Sequence, residues 1–281
     1  VSTLVPPLFA GLVDDASVLP PGAVAAGEAV AAHRRHRSAW YAPLLGPLLV
    51  PSSFVHLDPP PRGLPVGVIN DGAIAALPAA VAKLRAAGAA VTQVEALVAR
   101  RGEDPQPGLG ALRGLAADEQ DLQVYAEIPL SWGLLAALDT LAEVRAGGTS
   151  IRPKFRVGGL AAELFPTPVE LAAVICACRD RDLTFKFAAG LRHALRHTDP
   201  ETGFTHHGFL NVLVATGVAV DGGEVADVAE VLAATHPVPL VEPARARRDD
   251  ERPLWVGFGA VNVLEPLTEL VRLGLINGGF E

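Results

Sequence analysis

The chain has 281 residues, half of them hydrophobic and 19% charged, which is enough apolar material for one large α/β domain or two small ones. Its formal net charge of −8 argues against nucleic acid and anionic membrane surfaces as partners. No uninterrupted apolar run reaches the roughly 18 residues of a spanning helix, and the first residues lack the basic and apolar segments of a signal peptide, so a cytoplasmic protein is expected.

Residues 1–21 are rich in proline and form an irregular lead-in. Within it, Asp14 and Asp15 read as a turn or helix cap, with a place over a barrel mouth as the alternative. An Ala-rich helix follows from Gly22 to Tyr41. It ends in the basic stretch His33–Arg37, which suits a solvated helix C-terminus because positive charge is favourable there.

A repeating pattern then begins. Apolar strand-like runs occur at Leu48–Ser52, Pro65–Asp71, Val91–Leu97, Leu122–Ile128, Ile151–Val157, Leu183–Ala188 and Pro253–Phe258. Helical segments lie between most of them, at Ala73–Ala87, Leu109–Ala117, Ser131–Ala146 and Pro168–Arg179. Strands and helices of these lengths in alternation imply βαβ units and a parallel sheet. The Pro-rich connection Ser53–Leu64 is too short for a crossover helix, so one β/α unit looks irregular or missing. Val212–Val220 fits either a strand or a buried helix, Gly222–Thr235 looks helical, and His236–Val241 is the candidate for the remaining strand. No GxGxxG or P-loop follows any strand, which lowers a nucleotide-binding open sheet. The expected fold is a single α/β domain over residues 1–281, a (β/α)8 barrel of TIM type. Cys176 and Cys178 fall in the last helix before Lys186 and read as reduced and buried.

Buried parallel strands usually read as continuous apolar runs, but several here alternate. One face of Leu122–Ile128 carries Gln123, Tyr125 and Glu127, and the polar face of Val91–Leu97 carries Gln93 and Glu95. Lys154 and Arg156 share a face opposite Phe155, and Lys186 lies opposite Phe185 and Phe187. If the apolar faces pack on the helices, Glu95, Glu127, Lys154, Arg156 and Lys186 converge inside the barrel from four successive strands. Two acids and three bases can largely neutralise one another, as a charged interior requires. The bland alternative is a buried ionic network without a substrate, yet this fold keeps its active sites at the C-terminal ends of the strands.

The chain has only three lysines, Lys83, Lys154 and Lys186, and two of them lie in these apolar strands. A buried ammonium is costly unless something uses it. Cations on paired strands, Lys154 and Arg156 beside Lys186, are expected to depress the Lys186 amine and make it a nucleophile. A neutral amine there can form a Schiff base with a carbonyl, with Glu127 or Glu95 moving protons.

Lys186-Phe-Ala-Ala-Gly190-Leu191 resembles the lysine segment of deoxyribose-phosphate aldolase-like barrels. Counting from Leu48–Ser52, it lies on the sixth strand, and the resemblance gives Lys186 the Schiff-base role of a class I aldolase. Together with Arg192 and the following His206-His207-Gly-Phe-Leu210, the same segment also resembles quinolinate phosphoribosyltransferases. That likeness implies contacts from the lysine, arginine and histidines to a phosphorylated sugar or an acidic small molecule.

The loop after Lys186 is long for a βα connection, which suggests a lid or binding loop. His193, His206, His207, Arg192 and Asn211 are its candidate substrate contacts, beside Glu95 and Arg156. His193 and His197 are four apart, but no HExxH or comparable pattern supports a metal site, and no cofactor is implied. Gly158 and Gly159 after the Lys154 strand, and Gly257 and Gly259 after the last strand, are backbone-exposing positions that a phosphate site would use; tight turns need glycine as well. The expected partner is a small-molecule substrate, and a homo-oligomer is compatible with the composition. A non-catalytic barrel that binds a small molecule is the reading from another class.

Overall fold

The computed structural model describes residues 4–54 and 58–278. Its first seven strands are β1 (Val13–Asp15), β2 (Leu45–Pro51), β3 (Pro65–Ile69), β4 (Ala90–Leu97), β5 (Gln123–Glu127), β6 (Ile151–Arg156) and β7 (Phe185–Ala188). A two-stranded antiparallel hairpin, β8 (His197–Thr198) and β9 (Thr205–His206), comes next, and then β10 (Trp255–Ala260). Strands β1 to β7 and β10 are parallel and close into an eight-stranded barrel, with β1 pairing both β2 and β10. Helices α1 (Ala26–Arg37), α2 (Leu77–Ala86), α3 (Gln106–Asp118), α4 (Leu134–Ala146), α5 (Pro168–Arg179), α6 (Phe209–Val220), α7 (Val225–Ala233), α8 (Val238–Ala246) and α9 (Leu264–Arg272) ring it. This is the (β/α)8 barrel of TIM type that the alternation implied. Between β2 and β3 the described residues form no helix, as the Pro-rich connection required; residues 55–57 of it lie outside the described residues.

The lead-in at 1–21 is not irregular throughout, because Val13–Asp15 is the strand that closes the barrel. Three residues carry no readable period, so the turn reading won on local chemistry alone. His236–Val241 is not a strand. Val238–Ala246 is α8, with Pro239 in the first turn, where a helix has no use for the missing N–H. The ambiguous Val212–Val220 belongs to α6, ten of whose twelve residues are buried. A helix apolar on all sides needs cover on all sides, and α5, α7 and α8 supply it. With β1 counted, Lys186 lies on the seventh strand of the barrel and not the sixth.

The lysine strands are held from outside by an aromatic layer. Phe155 packs against Phe185 and Phe187 at ring-centroid distances of 6.4 and 6.1 Å, Phe187 against Trp255 at 6.2 Å, and Phe209 of α6 stacks on Phe258 at 5.5 Å. Trp255 pairs with Phe185 and Phe258 with Phe187, while an irregularity between Trp255 and Gly257 brings Gly257 opposite Lys186. Strict alternation from Phe155, Phe185 and Phe187 then sends Lys154 and Lys186 into the barrel. His33 is fully buried and bonds through Nδ1 to Asp15 Oδ2 at 3.0 Å, so the basic stretch at 33–37 is not solvated throughout; Arg34, Arg35 and Arg37 are exposed. Cys176 and Cys178 are free thiols buried in α5.

Candidate active site

Six charged side chains from five strands form one hydrogen-bonded chain that runs from the barrel interior to its mouth. Glu95 (β4) lies at its centre, with Oε1 accepting from Lys186 Nζ at 2.5 Å and Oε2 from Lys154 Nζ at 2.6 Å. Lys154 (β6) reaches Glu127 Oε2 (β5) at 2.7 Å, and Arg156 donates through Nε to Glu127 Oε1 at 3.2 Å. At the other end Lys186 (β7) pairs with Asp14 Oδ2 (β1). Gln93 donates from Nε2 to Asp14 Oδ2 at 3.0 Å and to Glu95 Oε1 at 2.9 Å, and the Tyr125 ring lies 5.1 Å from Lys186 Nζ. Lys186 is 2% exposed, Lys154 4% and Glu95 1%, so these charges survive only because each has partners. Three carboxylates, two ammoniums and the half-exposed guanidinium of Arg156 balance.

Backbone placement accounts for this arrangement. Lys154 pairs in register with both Glu127 and Lys186, so these three share a level of the barrel. Asp14 pairs with Gly259, and a methyl group at Gly46 would overlap the Asp14 carboxylate, so β2 yields the space that the acid occupies. Arg156 lies two residues beyond Lys154 on the same face, at the C-terminal mouth.

The local field differs from the one expected for Lys186. Burial disfavours its charge, but the Asp14 and Glu95 carboxylates outweigh burial and raise the amine pKa. Glu95 separates it from Lys154, so cation–cation repulsion does not set its charge state. Burial likewise opposes the charge of Lys154, and Glu127 and Glu95 overcome it and raise that amine too. For Glu95, burial opposes ionisation but Lys154 and Lys186 hold the carboxyl down to about 2. Glu127 is lowered in the same way: Lys154 and Arg156 outweigh its burial. Asp14 is the exception. Burial, with a contribution from Glu95, pushes its pKa up, and the attraction of Lys186 only partly offsets this. Asp14 is therefore the carboxyl of the chain best able to hold a proton.

The remaining candidates do not join this cluster. His207 is buried, with Nε2 2.8 Å from the Pro166 carbonyl and Nδ1 3.3 Å from Arg196 Nη1. Asn211 accepts from Arg196 N–H at 2.9 Å and donates to the carbonyls of Val231 and Ala234 at 2.9 and 2.7 Å, tying α6 to the end of α7. Both side chains are taken up by the backbone. Arg192 is exposed and 3.5 Å from Glu265, and His193 bonds to Glu269 at 2.6 Å. His206 meets the Gly190 carbonyl at 3.3 Å and stacks on His197 with ring centroids 5.1 Å apart. Leu191–His197 forms no helix, so the helical spacing of His193 and His197 is not realised. Among the described residues no group of three or more His, Cys, Asp or Glu is arranged to hold a metal ion.

The glycines fall into two settings. Gly158 packs backbone to backbone against Gly190, where any side chain would collide, and Gly159 packs on Leu164. Gly257 faces the Leu12 carbonyl, and Gly259 faces inward toward Leu49 and Ala16. Gly158, Gly159 and Gly257 thus answer to close packing, while Gly259 borders the barrel interior.

Asp14 and Gln93 are the functional candidates that sequence patterning did not select. Gln93 lay on the correct polar face. Asp14 offered only an acid beside an apolar stretch, because its partner Lys186 is 172 residues away.

His207 yields a stability prediction. Burial holds its pKa down to about 4, against an ordinary 6.5. The unfolded chain then binds the extra proton between those values, so stability rises with pH across this window and is complete above 6.5. The expected loss on acidification from pH 7 to pH 4 is about 3 kcal/mol from this group. Urea unfolding of His207→Gln across the same range should lack that component; equal pH slopes in the two proteins would rule it out.

No helix among the described residues is long and apolar enough to cross a membrane. Comparison with family models, curated proteins and solved structures gave no match.

Proposed function

We propose that the protein is a class I aldolase-like lyase that forms an imine between Lys186 and a small carbonyl compound. The observation that carries the reading is the buried pair of Lys186 and Asp14, an amine beside the one carboxyl of the cluster with a raised pKa. Lys154 has only Glu95 and Glu127 as acid partners, both with lowered pKa values, and it remains an ammonium. Lys186 is the lysine with a proton acceptor, and Lys154 is the fixed cation.

On approach of a carbonyl, the Lys186 ammonium gives a proton to Asp14 and the free amine adds to the carbonyl carbon. Two of the three ammonium protons pass through Asp14 to the carbonyl oxygen, which leaves as water. Lys186 ends as a protonated imine with its charge of +1 unchanged, so the buried charge balance is kept throughout. Cleavage then sends the electron pair of the adjacent C–C bond into the imine to give an enamine. The hydroxyl proton of the departing aldehyde goes to Asp14, which is a carboxylate again once the water has left and is the acid of the cluster with a raised pKa. Arg192, His206 and His207, on which a phosphoribosyltransferase reading would draw, face Glu265, Gly190 and Pro166 instead, so lysine chemistry is the better supported.

Borohydride reduction in the presence of a panel of aldehydes and keto acids is expected to attach the carbonyl fragment to Lys186, located by peptide mass mapping. Label on Lys154 alone, or on neither lysine across the panel, would remove this reading.

A further inference from the structure

The mouth of the barrel above Lys186 is lined unevenly. In register beside Lys186 and Lys154, the next inward positions toward the C-terminal end are Ala188 on β7 and Arg156 on β6. On β10, Gly257 pairs with Lys186 and packs on the Leu12 backbone, and Gly259 borders Ala16 and Leu49 inside the barrel. A strand advances about 6.6 Å over two residues, so the layer above the lysines has small residues on the β7 and β10 side and a guanidinium on the β6 side.

Arg156 is itself only partly used. Its Nε donates to Glu127 at 3.2 Å, its side chain is 48% exposed, and no partner is found for either Nη among the described residues. Glu127 thereby fixes the guanidinium through Nε and leaves both terminal amino groups unpaired among the described residues, on a half-exposed side chain. Planar terminal N–H groups on an anchored guanidinium match two oxygens of a carboxylate or phosphate. The neighbouring mouth arginine, Arg192, leans toward Glu265 at 3.5 Å and belongs to the rim.

We infer that Arg156 is the anion-binding residue of the site, and that the substrate class is a small carbonyl compound carrying a carboxylate or phosphate within a few bonds of its carbonyl carbon. The inference rests on the lysine reading above for the position of the reacting carbon. It does not depend on imine formation for its test. The anion docks on Arg156 and the carbonyl reaches toward Lys186 past Ala188 and Gly259, which place no long side chain between the two.

The test is calorimetric titration of the whole protein with glycolate, glycerol 3-phosphate and uncharged glycerol, none of which can form an imine. Saturable binding of at least one anion is expected, with glycerol at least tenfold weaker. Arg156→Gln should weaken the anion by about ten- to hundred-fold, the worth of a charge-assisted hydrogen-bond pair. Arg156→Lys should recover part of the loss, which a merely structural role for the residue would not predict. Preference for glycolate or for glycerol 3-phosphate identifies the anion as carboxylate or phosphate. Equal affinity of wild type and Arg156→Gln, or no saturable anion binding, overturns the inference whatever borohydride trapping reports. Failed trapping with intact Arg156-dependent binding would instead remove the lysine chemistry and leave the anion site standing.

Discussion

Replacing Lys186 with methionine is expected to lower the unfolding free energy by about 3–5 kcal/mol, the usual cost of breaking a buried ion pair from one side, and to abolish imine trapping. Methionine fills most of the volume, so the loss is mainly electrostatic. Glu95 keeps Lys154 as a partner, but Asp14 keeps only Gln93. Asp14 already has a raised pKa through burial, and loss of the ammonium raises it further. It then becomes protonated in the folded variant at pH values where the unfolded chain is ionised. A group with a raised folded-state pKa contributes less stability as pH rises through that value, so the deficit should be larger at pH 8 than at pH 5. Asp14→Asn in the Lys186→Met background removes the stranded charge and should restore part of the loss, giving a clear coupling between the two sites. Urea unfolding of the wild type, both single variants and the double variant measures this. Additive effects, with the single lysine change costing under about 1 kcal/mol, would mean that the two side chains do not form the buried pair.

The barrel and most of its charged interior were legible because both follow from periodicity. Glu95, Glu127, Lys154 and Lys186 each sit on the polar face of an alternating strand, and the structure links all four in one hydrogen-bonded chain. Asp14 was legible only as the less favoured alternative, an acid over the barrel mouth. Its strand has three residues, too few for an alternation signal, and the turn chemistry of a double aspartate is the stronger local cue. The same limit hid the true count of strands and put a strand at His236–Val241, where a short apolar run with prolines fits either element. His207 and Asn211 lie apart from the charged cluster and bond to backbone groups, which was illegible for another reason. Polar residues at a loop–helix junction serve a ligand or an orphaned carbonyl equally well in sequence, and only the three-dimensional partners Pro166, Val231 and Ala234 decide. The charge state of Lys186 also needed the fold. Neighbouring cations on paired strands predict a depressed amine, whereas Glu95 inserted between the two lysines reverses the sign.

On the proposed imine chemistry, that reversal makes Asp14 the residue that takes the ammonium proton. Asp14→Asn keeps a polar side chain of the same shape, so Lys186 and Gln93 retain a neighbour while the proton acceptor is lost. On that proposal the wild-type ammonium proton passes to Asp14 inside the barrel, so the rate of borohydride trapping at Lys186 should be nearly flat between pH 6 and pH 8. In Asp14→Asn the amine must lose its proton to solvent before it can attack. Trapping at pH 6 should then fall by about 10²- to 10⁴-fold, the usual contribution of a positioned general base, and should climb about tenfold per pH unit as the free amine fraction rises. Removal of a carboxylate also lessens the upward pull on the Lys186 pKa, which brings the climb into an accessible range at alkaline pH. A proton relay through Asp14 therefore predicts two profiles that converge at high pH. If Asp14 only supports the fold, the variant profile should run parallel to the wild type, displaced by a constant factor; if Glu95 or Glu127 takes the proton, the variant should stay flat.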